Sequence, residues 1–123
     1  MRGSGELERE IMSAIWQTGT PLTGHDVLAA LDATHNTAYT TVVTVLERLR
    51  DKGMLTRFRD GRSYRYQAAV TDEEYAASLM SQVLDGSSNR SAALLRFAGT
   101  LDDAEVTALR AALEASRSAG DAP

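Results

Sequence analysis

Four threonines within eight residues, Thr37, Thr40, Thr41 and Thr44, with Tyr39 among them, are the densest group of hydroxyl side chains in this 123-residue sequence. Threonine loses rotamer freedom in a helix, so such a cluster does not serve helix propensity. A hydroxyl pairs with donors or acceptors, and the threonine methyl packs against the thymine methyl. An exposed row of them therefore suits base edges in a DNA major groove. Immediately downstream, Arg48, Arg50, Lys52, Arg57, Arg59, Arg62 and Arg65 stand against only Asp51 and Asp60, a local excess of five positive charges. Guanidinium and ammonium groups at that density match phosphate oxygens.

The elements that must position these groups follow from apolar spacing. Val42, Val45, Leu46 and Leu49 fall at i, i+3, i+4 and i+7, which predicts a helix from Thr37 to Lys52, capped by Asn36 or Thr37 and closed by Gly53. Thr40, Thr44 and Glu47 then point away from the buried stripe, flanked by Thr37, Thr41, Val43 and Arg48. From Arg57 to Arg65 aromatic and polar residues alternate around Asp60-Gly61, the pattern of a tight hairpin anchored by Phe58, Tyr64 and Tyr66. Upstream, Leu7, Ile11, Ala14 and Ile15 form one helical stripe and Met12 and Trp16 a second; Gly19-Thr20-Pro21 ends that helix. Thr23 and Asp26 predict a capped second helix carrying Val27, Leu28 and Leu31, with a solvated His25 in its first turn and turn formers from Ala33 to Asn36 after it. Three helices followed by a hairpin is the order of a winged helix-turn-helix, which assigns Tyr39, Thr40, Thr41 and Thr44 to base readout. Thr37, Arg48, Lys52, Arg57, Arg59, Arg62 and Arg65 are assigned to phosphates. The same surfaces would also serve a winged-helix module that binds protein rather than an operator.

After Gln67 the composition changes. Thr71 with Glu74 opens a helix to about Leu84, Gly86 to Asn89 interrupts, and further helices follow at 92–98 and after Thr100 or Asp102. Leu79, Val83, Leu94, Leu95, Phe97, Leu101, Val106, Leu109 and Leu113 are too many apolar groups for three short helices to bury, so a second copy of the chain is the expected cover. The predicted organisation is a mainly α fold with a small β-hairpin wing: a winged helix-turn-helix domain at 1–70 and a helical dimerisation domain at 71–123, frayed from Ser116. Residues 1–70 carry nine basic and eight acidic side chains, residues 71–123 four and nine, so the net charge of -4 belongs to the second part. There is no cysteine, and His25 and His35 alone close no zinc site; no cofactor is expected. No nucleophile–base pair or phosphate-cradling glycine loop points to an enzyme. No apolar run reaches the roughly 20 residues that span a bilayer, and the N-terminus lacks a signal-peptide apolar region, so the expected location is the cytoplasm.

Four blocks in order carry a family resemblance: Glu8-x-Glu10-Ile11-Met12 with Ile15-Trp16, Thr41 to Leu49, Lys52-Gly53-Met54-Leu55, and Gly61 to Tyr66. Together they resemble the penicillinase-repressor family, closest to its BlaI/MecI branch. The resemblance implies a homodimeric transcriptional repressor on a palindromic operator, controlling resistance or stress genes. It also implies induction through a membrane sensor-transducer with a zinc protease module that cuts the repressor's dimerisation segment, typically at an Asn-Phe bond. The corresponding position here is Arg96-Phe97. The cysteine motifs of the family's copper-responsive branch are missing.

Overall fold

The computed structural model describes residues 4–31 and 36–120. In chain order the elements are α1 (Ser4–Thr18), β1 (Leu22–Thr23), α2 (Gly24–Leu31), α3 (Tyr39–Asp51), β2 (Leu55–Asp60), β3 (Ser63–Ala68), α4 (Asp72–Asp85), α5 (Arg90–Ala98) and α6 (Asp103–Gly120). The expected turn formers Ala33 to His35 lie outside the described residues, as do residues 121–123 of the expected frayed tail; residues 116–120 continue α6 as helix. The chain divides into two compact units, Met1–Ala77 and Ser78–Pro123. The first unit thus extends beyond residue 70 to take in the start of α4, because Tyr75 is buried there edge-on against Trp16, ring centroids 5.7 Å apart.

The first unit is built around α3. Val42, Val45, Leu46 and Leu49 are all buried, and they meet Ile11 and Met12 of α1, Val27 of α2 and Leu55 of β2 in a core that excludes water. Both predicted faces of α1 are used. Leu7, Ile11 and Ile15 are buried with Met12, while half-buried Trp16 donates its indole N–H to the Val70 carbonyl at 3.1 Å. The N-terminus of α2 is closed reciprocally: Asp26 N–H donates to Thr23 Oγ1 at 3.1 Å and Thr23 N–H to Asp26 Oδ2 at 3.0 Å.

At the other end of α3, Gly53 adopts φ +82°, its N–H reaches the Arg50 carbonyl at 3.0 Å and Met54 N–H reaches Leu49 at 2.9 Å. This is a Schellman closure, and it turns the chain directly into β2. One buried charge joins α1 to this corner. Glu8, only 4% exposed, accepts both hydrogen bonds of Lys52 Nζ, at 3.0 and 3.2 Å, with Arg48 Nη1 3.8 Å away.

The sheet has the order β1-β3-β2, antiparallel throughout. The short β1 strand was not legible in the sequence: Leu22 opposes Tyr66 and Thr23 opposes Arg65, extending the hairpin by one strand. The β2–β3 loop holds only Gly61 and Arg62, with positive φ at Gly61 (+65°), the requirement of a type II′ turn. Its register places Arg57 opposite Tyr66 and Arg59 opposite Tyr64.

The second unit contains the end of α4, α5 and α6. Asn89 Oδ1 caps α5 by accepting from Ala92 N–H at 3.0 Å, and Asp102 with Glu105 forms a reciprocal box at the start of α6, at 2.8 and 2.9 Å. No residue of α5 is buried.

Leu46 reports on the core of the first unit because its side chain is wholly inaccessible. Leu46→Ala is expected to cost about 2–5 kcal/mol by urea unfolding, through lost burial and the cavity left behind. A cost below about 1 kcal/mol would show that α3 is not the centre of that core.

Candidate nucleic-acid interface

The candidate reading surface is the side of α3 turned away from its buried stripe. Tyr39, Thr40, Thr41 and Thr44 are all exposed on it. Thr44 donates its hydroxyl proton to the Thr40 carbonyl at 2.8 Å, which leaves its oxygen as an acceptor. Helix α3 begins at Tyr39, two residues later than expected, and its cap residue is Ala38 in extended conformation (φ -76°, ψ 146°), with no side-chain cap. Neither Asn36 nor Thr37 supplies the cap. Thr37 is instead half-buried in the preceding segment.

Tyr39 is braced in a way the sequence did not reveal. Its ring lies flat on the imidazole of His25, centroids 4.1 Å apart and planes 6° from parallel. The α2 residue beside it is Gly24, where a Cβ would come within 3.1 Å of Tyr39 Cε2, a tight contact that the ring would have to shift to relieve. His25, expected as a solvated polar residue, is exposed but forms the other half of this stack. The two residues come from different helices, so only a predicted tertiary contact could have joined them.

The expected phosphate-binding cations separate into two groups. Arg48 and Lys52 approach Glu8, Lys52 closely and Arg48 at 3.8 Å. Arg65 donates to Asp60 at 2.5 Å and to the Pro21 carbonyl at 3.3 Å, with Asp26 3.7 Å away. Arg57 donates to Glu47 at 2.8 Å, and its guanidinium lies 3.9 Å above the Tyr64 ring. Arg59, by contrast, meets Tyr64, with its guanidinium 5.4 Å from the ring and Nη1 3.4 Å from the hydroxyl. Arg62 projects from the exposed turn, and neither Arg59 nor Arg62 is paired with a carboxylate among the described residues.

Glu47, expected to point away from the buried stripe, is met there by residues of the wing. It is half-buried and accepts four hydrogen bonds: from Tyr66 hydroxyl at 2.6 Å and Arg57 Nη1 at 2.8 Å on Oε2, and from Arg50 Nη2 and Nε at 3.1 and 3.3 Å on Oε1. Burial pushes its carboxyl upward, but the Tyr66 and Arg50 hydrogen bonds and the charges of Arg57 and Arg50 outweigh this and hold it below its ordinary value. Tyr66 moves the opposite way, raised by burial and by donating to Glu47. Helix, turn and strands together border an open cleft lined by His25, Tyr39, Glu47, Arg62, Ser63 and Tyr64.

In the second unit Val83 and Leu95 are each 75% exposed, and Leu94, Phe97, Leu109 and Leu113 are also exposed; Leu79, Leu101 and Val106 are partly covered. Arg96-Phe97 lies within α5. Among the described residues no cluster of histidine and carboxylate side chains could hold a metal ion, and no helix is long and apolar enough to cross a membrane.

Three helices, a three-stranded wing and an exposed hydroxyl-bearing helix face define a winged helix-turn-helix protein of the transcriptional-regulator class. Residues 4–115 match the family described as "Penicillinase repressor", and the chain belongs to that family. Two relatives, each named "Transcriptional regulator BlaI", come from Mycobacterium tuberculosis strains CDC 1551 / Oshkosh and ATCC 25618 / H37Rv. Each is 40% identical over 112 residues, 89% of this chain and 81% of its own length. A solution structure of the Bacillus licheniformis BlaI monomeric form in complex with the blaP half-operator aligns over 61% of this chain and 87% of its own, at 27% identity and a TM-score of 0.48. Family and relatives are described as regulators, in agreement with a non-enzymatic chain.

The lowered Glu47 carboxyl has a consequence for acid stability. Its proton is held less tightly in the folded chain than at the ordinary 4.5, so its contribution is complete above that pH and lost as pH falls through the folded value. Between about pH 5 and pH 3 the urea stability of Glu47→Gln should therefore fall less than that of the wild type. Identical pH slopes for the two chains would refute the assignment.

Proposed function

We propose that this chain is a homodimeric, cytoplasmic repressor that binds a palindromic DNA operator and is released by proteolysis in its helical second unit. The observation that carries the reading is the exposed row of Tyr39, Thr40, Thr41 and Thr44 beside a wing whose Arg59 and Arg62 have no carboxylate partner among the described residues. The names of its BlaI relatives support the same class of activity. In this reading α3 enters the major groove, with Thr40, Thr41 and Thr44 offering acceptors and methyls to base edges and Tyr39 held at the groove by its stack on His25. Arg59 and Arg62 meet phosphates directly. Arg48, Lys52 and Arg65, together with Thr37, contribute as contacts already oriented by the fold, whereas Arg57, expected among them, is engaged by Glu47 and Tyr64.

Two copies are required because one half-site gives one unit's affinity, whereas a linked second unit binds at high effective concentration. The exposed apolar groups of α4, α5 and α6 supply the surface for joining them. Cleavage at Arg96-Phe97, by a protease answering to a membrane sensor, would keep separated protomers from rejoining without altering a DNA contact.

Affinity for the selected operator should fall steeply and linearly in log K against log salt, and a scrambled duplex should bind more weakly. Arg62→Ala should weaken all duplexes similarly, whereas Thr44→Ala should change the ranking between operators by about 1–3 kcal/mol. Competition titrations with both variants check this, and equal wild-type affinity for operator and scrambled DNA would sink the repressor reading.

Introducing charge on the apolar face should dissociate the dimer. Light scattering of the Leu95→Asp, Leu109→Asp double variant is expected to give a monomer with the wild-type fold of the first unit and at least about a hundredfold weaker operator binding. A dimer of unchanged mass would move the interface elsewhere.

A further inference from the structure

Two wing residues, Arg57 on β2 and Tyr66 on β3, oppose one another in the hairpin register and so project from the same face of the sheet. Both end on one oxygen of Glu47, which belongs to α3. Its other oxygen takes Arg50, one helical turn away on α3 itself. Tyr64, two residues before Tyr66 and thus on the same face, covers the Arg57 guanidinium, and Arg59 follows over the far part of the same ring. A continuous ladder therefore runs from the Glu47 carboxylate through Arg57 and Tyr64 to Arg59 near the wing tip.

Arg57 is engaged by this arrangement: Nη1 donates to Glu47 and one face of the guanidinium is covered by Tyr64, with 26% of its side chain exposed. A carboxylate beside the most basic stretch of the chain looks unfavourable for binding a polyanion. Its geometry gives it two effects instead. It ties the wing to the reading helix, and it withholds two guanidinium groups from phosphates.

Resting on the DNA-binding reading above, we propose that Glu47 is a positioning residue for specificity, fixing the wing against α3 and holding Arg50 and Arg57 back from sequence-independent phosphate binding. Non-specific affinity is set by the number of phosphates neutralised. Sequence preference depends on α3 and the wing reaching their contacts in one fixed relation. Removing the carboxylate thus acts oppositely on the two: it frees cations that bind any duplex and loosens the geometry that selects one.

The test uses the full-length chain and the neutral, nearly isosteric Glu47→Gln, which still accepts from Tyr66. The DNA probes are a palindromic duplex recovered by the wild-type chain from a random-sequence pool and a shuffled duplex of equal length. Glu47→Gln should bind the shuffled duplex more tightly, steepen its log K against log salt slope by about 1–2 as one or two further phosphates are engaged, and lower the operator-to-shuffled ratio. Glu47→Asp, which keeps the charge, should return the slope toward wild type. In the free chain, amide hydrogen exchange over residues 55–68 should be about three- to tenfold faster in Glu47→Gln than in wild type, an effect that needs no DNA.

A purely structural role for Glu47 predicts that both duplexes lose affinity together, and that result overturns the proposal. Unchanged slope, ratio and exchange overturn it as well. A wild-type chain that selects no duplex from the pool sinks the DNA-binding reading itself, while faster wing exchange in Glu47→Gln would still show that the tie between wing and helix exists.

Discussion

Helix α3 has to satisfy two surfaces at once, and the geometry of a helix leaves little freedom between them. Val42, Val45, Leu46 and Leu49 must face α1, α2 and β2, because burying each such side chain is worth about 1.5–3 kcal/mol. Once that rotation about the helix axis is fixed, Thr40, Thr41 and Thr44 are exposed without further instruction. The Schellman closure at Gly53 then fixes where β2 begins, and the two-residue turn at Gly61 fixes where the wing ends. Core packing thus sets the direction of the reading face, and two glycines with positive φ set the reach of the wing.

Charge is distributed along the same lines. Five of the seven cations between Arg48 and Arg65 have a carboxylate within ion-pair reach: Arg48 and Lys52 share Glu8, Arg50 and Arg57 share Glu47, and Arg65 lies between Asp60 and Asp26. Such partly exposed pairs add little to stability. Their effect is to orient long side chains and reduce the free positive charge, so the local excess of five read from the sequence overstates what the surface offers to a phosphate. Glu8 differs in being buried, where losing its partner would strand a charge in the core; that makes the junction of α1 with the end of α3 costly to open.

What was legible in the sequence was local. The Thr23/Asp26 and Thr71/Glu74 boxes each connect residues three apart, and Gly53 and Gly61 act at their own positions, so composition and spacing were enough to find them; at α6 the sequence left Thr100 or Asp102 open, and the structure chooses Asp102, paired with Glu105. The hydrophobic stripe of α3 was equally readable, because helical period alone defines it. What was not legible depends on distance along the chain. The β1 pairing joins Leu22 to Tyr66, the Glu8–Lys52 contact spans 44 residues, and Glu47 meets Tyr66 across 19. Helical periodicity placed Glu47 on the outer face correctly, but it could not show that the wing folds back to cover that part of the face. The missing cap at Ala38 has the same origin: the sequence offered two good capping side chains, and the start of α3 is set instead where Tyr39 packs on Gly24 and His25.

The second unit is subject to a different constraint. Isolated helices of the length of α5 are unstable in water, since nucleation is costly and few hydrogen bonds follow it. None of the nine residues of α5 is buried within the protomer, and its caps at Asn89 and Gly99 contribute only modestly. Under the proposed reading, order in α5 therefore depends on apolar surface from a second copy, and assembly and helix formation become one equilibrium. A protease requires an extended substrate, so Arg96-Phe97 can be cut only when α5 opens. In a protomer held by its partner that opening must break the interface; in a free protomer it breaks almost nothing. Cleavage would accordingly fall on protomers that have already separated, making dissociation irreversible and drawing operator occupancy down by mass action rather than by force on the DNA contacts.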